Sequence, residues 1–255
     1  MPIVTLTTDF GWKDHYAATI KGAMLSRSPD LTLVDITHNI KTYDIVQAAL
    51  LLRSTFRNFP PGSIHVVSVN DLAERNPRFV CLEAEDHYFV GPDNGLFSLV
   101  FEQPPAHISE LLFDNPSTFP LKDIYSRAVQ QLAEGGSVRE LGPPLDRLVE
   151  RISLQPVISP TLIRGSVIYI DNYENVMINI SRELFERLRQ ERPFALYFKR
   201  HDPLRQLSRT YADVPVGEPL CLFNSGDLLE IAINMGRAAS LLGLDIDDTV
   251  QIEFE

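Results

Sequence analysis

Short runs of β-branched residues alternate with longer segments of helical periodicity throughout the first half of the chain. Ile3–Thr8, Leu31–Ile36 and Ile64–Val69 are typical of strands. Apolar residues recur at helical spacing over Ala17–Leu25 and again over residues 45–52. Because parallel strands need helical crossovers, this alternation predicts an N-terminal α/β domain with a largely parallel central sheet. Two further strands are expected at residues 79–84 and 88–90.

The second part of the chain has a different pattern. Between residues 141 and 160 several prolines interrupt any periodicity, which indicates a domain boundary. We therefore expect an N-terminal domain over residues 1–150 and a C-terminal domain over residues 160–255. The C-terminal domain is richer in strands, and we predict a smaller β-barrel with strands at residues 162–170, 176–180, 194–198, 219–223 and 250–254.

Composition excludes several classes of partner. The 255 residues carry a formal net charge of −11, which repels phosphate backbones and argues against nucleic acid as a partner. No run reaches the roughly 18 to 20 apolar residues that a membrane helix needs, so no membrane association is predicted. The first residues lack the basic and apolar segments of a signal peptide, and we predict a cytoplasmic location.

Common catalytic and metal-binding patterns are missing from the sequence. It contains no dinucleotide-binding or P-loop glycine pattern, no zinc-protease helix motif and no nucleophile-elbow motif. Cys81 and Cys221 both lie in apolar runs, where a thiol behaves as a small core residue. His38 has no second histidine at metal spacing, so we predict a structural hydrogen-bonding role for it and no metal site.

Two aspartates follow the first predicted strand. Asp9 lies where ligands bind in parallel α/β sheets, and its carboxylate could accept hydrogen bonds from a ribose diol. The alternative is that Asp9 caps the helix that follows. Asp14 lies close to the predicted start of that helix, where it could serve either as a cap or as a substrate contact.

Two polar turns complete the set of candidate segments. The Gly-Pro-Asp-Asn-Gly sequence at residues 91–95 is typical of a tight turn, and a ligand contact is the alternative. Asp171 and Asn175 lie between two predicted strands. Their side chains could hold an amino-acid group, or they could simply shape a hairpin turn.

Six segments in order resemble one family, the S-adenosylmethionine hydroxide adenosyltransferases, which are relatives of the adenosyl chlorinases and fluorinases. They extend from near the N-terminus to residue 236. In this sequence they read TDFG at 8–11, KGAML at 21–25, VDITH at 34–38, GPDNG at 91–95, VIYIDNYENVMINI at 167–180, and TYADVPVGEPLCLFN with SGDLLEIAINMG at 210–236.

The resemblance implies a homotrimer whose ligand lies between the N-terminal domain of one subunit and the C-terminal domain of its neighbour. It also implies that S-adenosylmethionine is the substrate or ligand, with no separate cofactor. Asp9 would bind the ribose hydroxyls, and Asp171 with Asn175 would bind the methionine end. Ser225 and the backbone near Ile233 and Met235 would line the adenine pocket.

The chain departs from the family at its water-activating trio. The resemblance implies an Asp in an Asp-Pro-Gly-Val-Gly segment, an Arg seven residues later and a His in a Thr-Phe-His-Gly-Arg-Asp stretch. An ungapped match puts Asn70, an expected substrate contact, and Pro77 on the Asp and the Arg. A shift of one residue restores the pair as Asp71 and Arg78. The His position is occupied by Pro120.

Three functions are compatible with this pattern. The first is hydrolysis of S-adenosylmethionine at C5′ to adenosine and methionine, with Asp71 and Arg78 as catalytic residues. The second is a family member that binds an adenosyl compound without turnover, as a sensor or scaffold. The third is halide-dependent adenosyl transfer, because the halogenases also lack the trio. A fold shared with enzymes does not by itself fix the chemistry.

Overall fold

A computed structural model describes residues 1–101, 103–113, 117–152 and 155–255. The chain divides into two compact units, residues 1–152 and 153–255. Of the predicted boundary segment at residues 141–160, residues 153 and 154 lie outside the described residues. Within the described part of the chain, none of the helices combines the length and apolar character needed to cross a bilayer.

The first unit contains a six-stranded mixed sheet in the order β2-β1-β3-β5-β4-β6. The strands β2, β1, β3 and β5 pair in parallel, whereas β4 is antiparallel to both of its neighbours. Parallel pairing over most of the sheet agrees with the predicted fold class. The strands are β1 (Ile3–Thr8), β2 (Thr32–Thr37), β3 (Ile64–Ser68), β4 (Phe79–Ala84), β5 (His87–Pro92) and β6 (His107–Glu110).

Helices cover both faces of this sheet. On one face the core includes Val4 and Val66 from the sheet with Ile20 and Val129 from helices α1 and α4. On the other face a second core packs sheet residues against helices α2 and α3. The helices are α1 (Tyr16–Arg27), α2 (Ile45–Thr55), α3 (Leu96–Val100) and α4 (Ser126–Ala133). Because both faces are covered, β1 and β3 are buried along almost their whole length, including their polar residues.

The second unit contains a curled antiparallel sheet in the order β10-β13-β8-β9-β12-β11, with β7 paired to β8. The long strand β8 pairs with β13 along its first half and with β9 along its second half, which curls the sheet into a half-barrel. The strands are β7 (Val157–Ser159), β8 (Leu162–Ile170), β9 (Val176–Ser181), β10 (Phe194–Phe198), β11 (Pro219–Phe223), β12 (Leu228–Ile233) and β13 (Thr249–Phe254).

Gly165 lies at the point where β8 changes partner. A Cβ at this position would lie 2.7 Å from Asn179 Oδ1 and 2.8 Å from a side-chain carbon of Ile180. The absence of a side chain therefore lets β8 and β9 approach closely at the bend. Two helices, α5 (Arg182–Arg189) and α6 (Ala238–Leu242), complete the unit.

The two cysteines occupy the positions that the sequence predicted for them. Cys81 is fully buried in the core of the first unit and Cys221 in the core of the second. Both thiols are free. Burial raises the pKa of each thiol, so neither has the thiolate character of a reactive cysteine. The interpretation of both residues as core hydrophobes is confirmed.

Candidate functional site

The site begins at the carboxyl ends of β1 and β3. These strands are parallel neighbours, and Thr8 of β1 is in register with Ser68 of β3. The loops that follow them therefore leave the sheet at the same edge, which is where ligands bind in open α/β sheets. Asp9 follows β1, and Asn70 and Asp71 follow β3.

These loops form the wall of a cavity of about 340 Å³. A third segment, immediately before a π-helical turn at Leu121–Tyr125, and a residue in the loop before α2 complete the lining. Within the described chain, the lining residues are Asp9, Phe10, Tyr43, Ser68, Asn70, Asp71, Leu72, Thr118, Phe119 and Pro120. Two carboxylates among hydroxyl, amide and aromatic groups suit a ligand with both polar and apolar parts.

Asp9 is half-buried, and it does not cap α1. Its Oδ2 accepts a hydrogen bond from the backbone N–H of Tyr43, 2.9 Å away in the loop before α2. Helix α1 begins at Tyr16, and its N-cap residue His15 makes no side-chain capping bond. The capping alternatives for Asp9 and Asp14 are therefore wrong. Asp14 is exposed and lies outside the cavity lining, so its role as a substrate contact stays a prediction.

Asp71 combines contact with the cavity and burial of its carboxylate. Its Oδ2 accepts a hydrogen bond of 2.6 Å from Ser68 Oγ. Its Oδ1 is buried and has no hydrogen-bond partner among the described residues. Burial raises the pKa of Asp71 from 3.8 to about 7, and the negative charge of Asp9 acts in the same direction. A carboxyl group with this pKa exchanges protons near neutral pH, as a general base must.

Arg78, the second predicted catalytic residue, contacts another carboxylate. Its guanidinium donates two hydrogen bonds to Asp93 Oδ2, one of them from Nε at 2.7 Å. The other oxygen of Asp93 accepts from the backbone N–H of Val149 at 2.8 Å. Among the ion pairs of the described chain, Arg78 pairs with Asp93 and not with Asp71. A catalytic role for Arg78 stays a prediction.

The turn at residues 91–95 supports the Asp71 loop. Asp93 and Asn94 are buried, and the Asn94 amide donates to the backbone carbonyls of Val69 and Asn70 at 3.0 and 3.2 Å. Gly95 adopts φ +98°, as the turn interpretation requires. Asn70 itself has φ +55°, and the two bonds from Asn94 hold its strained backbone in place. This turn therefore positions the cavity wall.

His38 has the structural role that its sequence context predicts. Its side chain is fully buried, with Nδ1 2.7 Å from Thr8 Oγ1 and Nε2 3.1 Å from Asp35 Oδ1. Asp35 Oδ2 also accepts from Lys21 Nζ at 2.5 Å. Burial lowers the pKa of His38, although its hydrogen bond to Asp35 opposes the shift. The resulting network ties α1 and the loop after β2 to the end of β1, directly before Asp9.

In the second unit, the Asp171 carboxylate organises its own turn. Oδ1 accepts from the backbone N–H groups of Tyr173 and Asn175, both at 2.8 Å. Oδ2 accepts from the Asn175 side-chain amide at 3.1 Å. These bonds close the hairpin between β8 and β9, as the turn alternative expects. A ligand contact by either residue is a prediction that these bonds do not test.

The three predicted adenine contacts differ in exposure. Ser225 is exposed, Ile233 is packed in the core of the second unit, and Met235 is exposed with φ +57°. Sequence reasoning missed the residues that surround Asp71. Ser68 lies within a predicted strand, and no element was predicted around Tyr125. Sequence reasoning also missed the buried Glu230, whose Oε1 accepts from the Tyr211 hydroxyl at 2.8 Å. No local sequence pattern marks these contacts.

Comparisons with known proteins match the sequences of both units. The sequence-family model of the S-adenosylmethionine hydroxide adenosyltransferase N-terminal domain matches residues 4–142. The family model of the C-terminal domain matches residues 165–251. The chain is 28% identical to an (R)-S-adenosyl-L-methionine hydrolase of Salinispora tropica, over 98% of this chain and 97% of the relative. It is 26% identical to a fluorinase of an Actinoplanes species, over 98% of this chain and 97% of the relative.

A solved structure has the same fold. It is that of a conserved protein from Thermotoga maritima, which superposes with a TM-score of 0.88 at 28% sequence identity. The match covers 98% of this chain and 99% of the Thermotoga chain. The likeness therefore includes both units and not the α/β sheet alone.

Proposed function

Because the chain belongs to the S-adenosylmethionine hydroxide adenosyltransferase family, we propose that it hydrolyses S-adenosylmethionine at C5′ to adenosine and methionine. One observation carries the proposal. Two carboxylates, Asp9 and Asp71, follow neighbouring parallel strands and line the same cavity. Asp9 would bind the sugar, and Asp71 has a pKa suited to accepting a proton.

The reaction needs little acid and base chemistry. The oxygen of water forms a bond to C5′ while the bond from C5′ to the sulfonium sulfur breaks, and the electron pair of that bond stays on sulfur as the thioether of methionine. The water loses one proton, which Asp71 accepts and later releases to solvent. Because the sulfonium is already a good leaving group, the main tasks of the site are alignment and desolvation of the water.

The substrate would favour the ionised form of Asp71. A sulfonium cation bound in the cavity interacts favourably with a carboxylate and so lowers its pKa. In the free protein, burial and Asp9 hold the pKa of Asp71 at about 7. Binding of the cation would therefore produce the base at the moment when it is needed.

Asp9 would hold the ribose. Its Oδ2 is oriented by the backbone N–H of Tyr43, and an ionised carboxylate has about four lone-pair positions in all. This leaves room for both hydroxyls of a ribose diol. The exposed ring of Tyr43 borders the same cavity.

The proposal is tested by incubating the purified protein with S-adenosylmethionine in water enriched in oxygen-18. We expect adenosine with the label in its 5′-hydroxyl and an equal amount of methionine. Asp71→Asn is expected to lower kcat by roughly 10²-fold or more, and Asp9→Asn to raise KM by about tenfold. The matched control is Asp30→Asn, an exposed position between α1 and β2.

Other outcomes separate the alternatives. Saturable binding with no products in any buffer would show a binding protein and would refute hydrolysis. Formation of 5′-halo-adenosine only when chloride or fluoride is present would show halide transfer. Unlabelled adenosine would mean that the new oxygen does not come from water, which would also contradict the proposal.

We propose the remaining properties on the same basis. The protein would be a cytoplasmic homotrimer, and it would need no separate cofactor. These properties also include contacts to the methionine and adenine ends of the substrate from Asp171, Asn175, Ser225, Ile233 and Met235. Alanine variants of the turn residues Asp171 and Asn175 and of the exposed Ser225 and Met235 are expected to raise KM more than they lower kcat. The reason is that these residues would touch parts of the substrate that do not react.

A further inference from the structure

A tyrosine hydroxyl is buried behind the cavity without a partner. Tyr125 ends the π-helical turn Leu121–Tyr125, which directly follows the cavity-lining Pro120. Its side chain has no exposed surface, and its ring packs edge-on against Phe79 at 5.6 Å. Its hydroxyl has no hydrogen-bond partner among the described residues. Buried hydroxyls are nearly always paired, and π-helical turns are frequent at functional sites, so this group requires an explanation.

A second buried atom without a hydrogen-bond partner in the described chain, Oδ1 of Asp71, explains the burial of the Tyr125 hydroxyl. This oxygen is also buried and also lacks a hydrogen-bond partner among the described residues. The two groups are close enough to affect each other: the Tyr125 hydroxyl lowers the pKa of Asp71, and the Asp71 charge raises that of Tyr125. The hydroxyl can donate and the carboxylate oxygen can accept, so a hydrogen bond between them would satisfy both groups.

We propose that Tyr125 is a positioning residue for the reaction, whose buried hydroxyl holds the Asp71 carboxylate in the ionised, oriented form that accepts a proton from the attacking water. The kinetic part of this inference rests on the proposed function. Ser68 holds Oδ2 by its 2.6 Å hydrogen bond, and Tyr125 holds the carboxylate from the buried side. The remaining lone pairs of Asp71 are then free to face the cavity.

Tyr125 is suited to this task because it stays protonated. Burial, with the charge of Asp71, raises its pKa well above the usual 10.0, so it is a donor at every pH at which the protein would work. Pro120 lines the cavity where the family resemblance places a histidine, and proline has no side-chain donor. Tyr125 supplies a donor to the carboxylate from five positions further along the chain.

The direction of the pH effect follows from the groups that face Asp71. The titratable groups among them are Asp9, which raises the pKa of Asp71, and Tyr125, which lowers it. The Ser68 hydroxyl and the Val69 backbone also lower it. Removing the Tyr125 hydroxyl deletes one stabilising donor, so Asp71 would bind its proton more tightly and lose its basic form at a higher pH.

The kinetic test is the pH profile of Tyr125→Phe. We expect kcat to fall about tenfold near pH 6 and to recover towards the wild-type value near pH 9, with KM changed less than twofold. Ser68→Ala should change the profile in the same direction. The matched control is Tyr88→Phe, since Tyr88 packs against the same core, and it should keep the wild-type profile.

A second measurement does not need turnover. In protein labelled with carbon-13 at aspartate carboxyls, the Asp71 signal is assigned by its loss in Asp71→Asn and titrated by NMR. We expect its midpoint to rise in Tyr125→Phe and to stay unchanged in Tyr88→Phe. An unchanged midpoint in Tyr125→Phe overturns the inference, as does an equal loss of kcat at every pH. A raised midpoint in a protein that never releases adenosine would refute the proposed function and retain the contact between Tyr125 and Asp71.

Discussion

At the residue scale, Asp71 carries an energetic conflict. Its carboxylate is buried beside a second carboxylate, and the ionised form is therefore less stable in the folded protein than in water. Ser68 and Tyr125 reduce this cost but do not remove it. Sites of this kind reduce the stability of a fold while providing a group with the pKa that catalysis needs.

This conflict predicts that Asp71→Asn stabilises the protein at high pH. The folded pKa, about 7, lies above the ordinary value of 3.8, so the stabilising contribution of Asp71 is complete below pH 3.8 and is lost as the pH rises through 7. We expect the neutral amide to raise the free energy of unfolding by roughly 1–3 kcal/mol at pH 8 relative to wild type. The gain should shrink at pH 5.

The measurement is urea unfolding at both pH values, with Asp30→Asn as the surface control. A stability gain equal at pH 5 and pH 8 would contradict the assignment of the effect to the ionisation of Asp71.

At the element scale, neighbouring strands of the first sheet are joined by side chains as well as by their backbones. His65 of β3 is fully buried and bonds to Thr5 of β1 through Nδ1 at 2.8 Å. Its Nε2 bonds to His87 Nδ1 of β5 at 3.1 Å. Burial, helped by His87, lowers the pKa of His65 from 6.5 to about 3. The chain of three side chains therefore needs a neutral imidazole at its centre.

We expect this imidazole to make the protein sensitive to acid. Its stabilising contribution is complete above pH 6.5 and is lost as the pH falls towards 3, because the unfolded chain binds the proton that the folded chain excludes. In His65→Gln, the loss of unfolding free energy between pH 7 and pH 4 should be smaller by on the order of 2–3 kcal/mol. Urea unfolding of His65→Gln and of the wild type at both pH values measures this difference in unfolding free energy. The same acid-induced loss in variant and wild type would count against this role.

The turn between β8 and β9 shows how a local conformation depends on a distant contact. Glu174 has φ +62°, a conformation that favours glycine. Its carboxylate accepts from the Ser240 backbone N–H at 3.0 Å and from the Ser240 hydroxyl, and it pairs with Arg237 at 3.0 Å. These bonds to the start of α6 compensate for the strained backbone, so glutamate can occupy a position whose φ favours glycine.

This balance predicts an order of stability for two variants. Glu174→Ala loses the bonds and keeps the strain, whereas Glu174→Gly loses the bonds and relieves the strain. Both variants should melt below wild type, and the glycine variant should melt above the alanine variant. Thermal unfolding followed by circular dichroism gives the order directly. An alanine variant more stable than the glycine variant would show that the positive φ carries no cost here.

At the scale of the whole molecule, each unit has its own core. Two apolar clusters lie on opposite faces of the N-terminal sheet, and a third fills the C-terminal half-barrel. The family resemblance predicts that such chains assemble as trimers. Light scattering during gel filtration should then give about three times the chain mass of 28.8 kDa. A mass of one chain at micromolar concentration would contradict the trimer.

Much of this architecture could be predicted from the sequence, since strand and helix periodicities are local properties. The predicted bounds of the β1, β4, β8, β10 and β11 strands agree with the structure, and those of other predicted strands differ by one or two residues. The strands β6, β7 and β12 and the helices α3, α4, α5 and α6 were missed. In α5 only Phe185 is buried, so its apolar stripe is too short to mark a helix.

The sequence by itself determined that a carboxylate at residue 9 follows the first predicted strand, because the periodicity of a strand and the residues that end it are local properties. It left open whether Asp71 stands beside Arg78, and only the tertiary structure decided this by pairing Arg78 with Asp93 and bringing Tyr125 to Asp71. The physical reason is that such contacts join segments far apart in the chain. Their geometry depends on how the sheet and helices pack, which no local periodicity records.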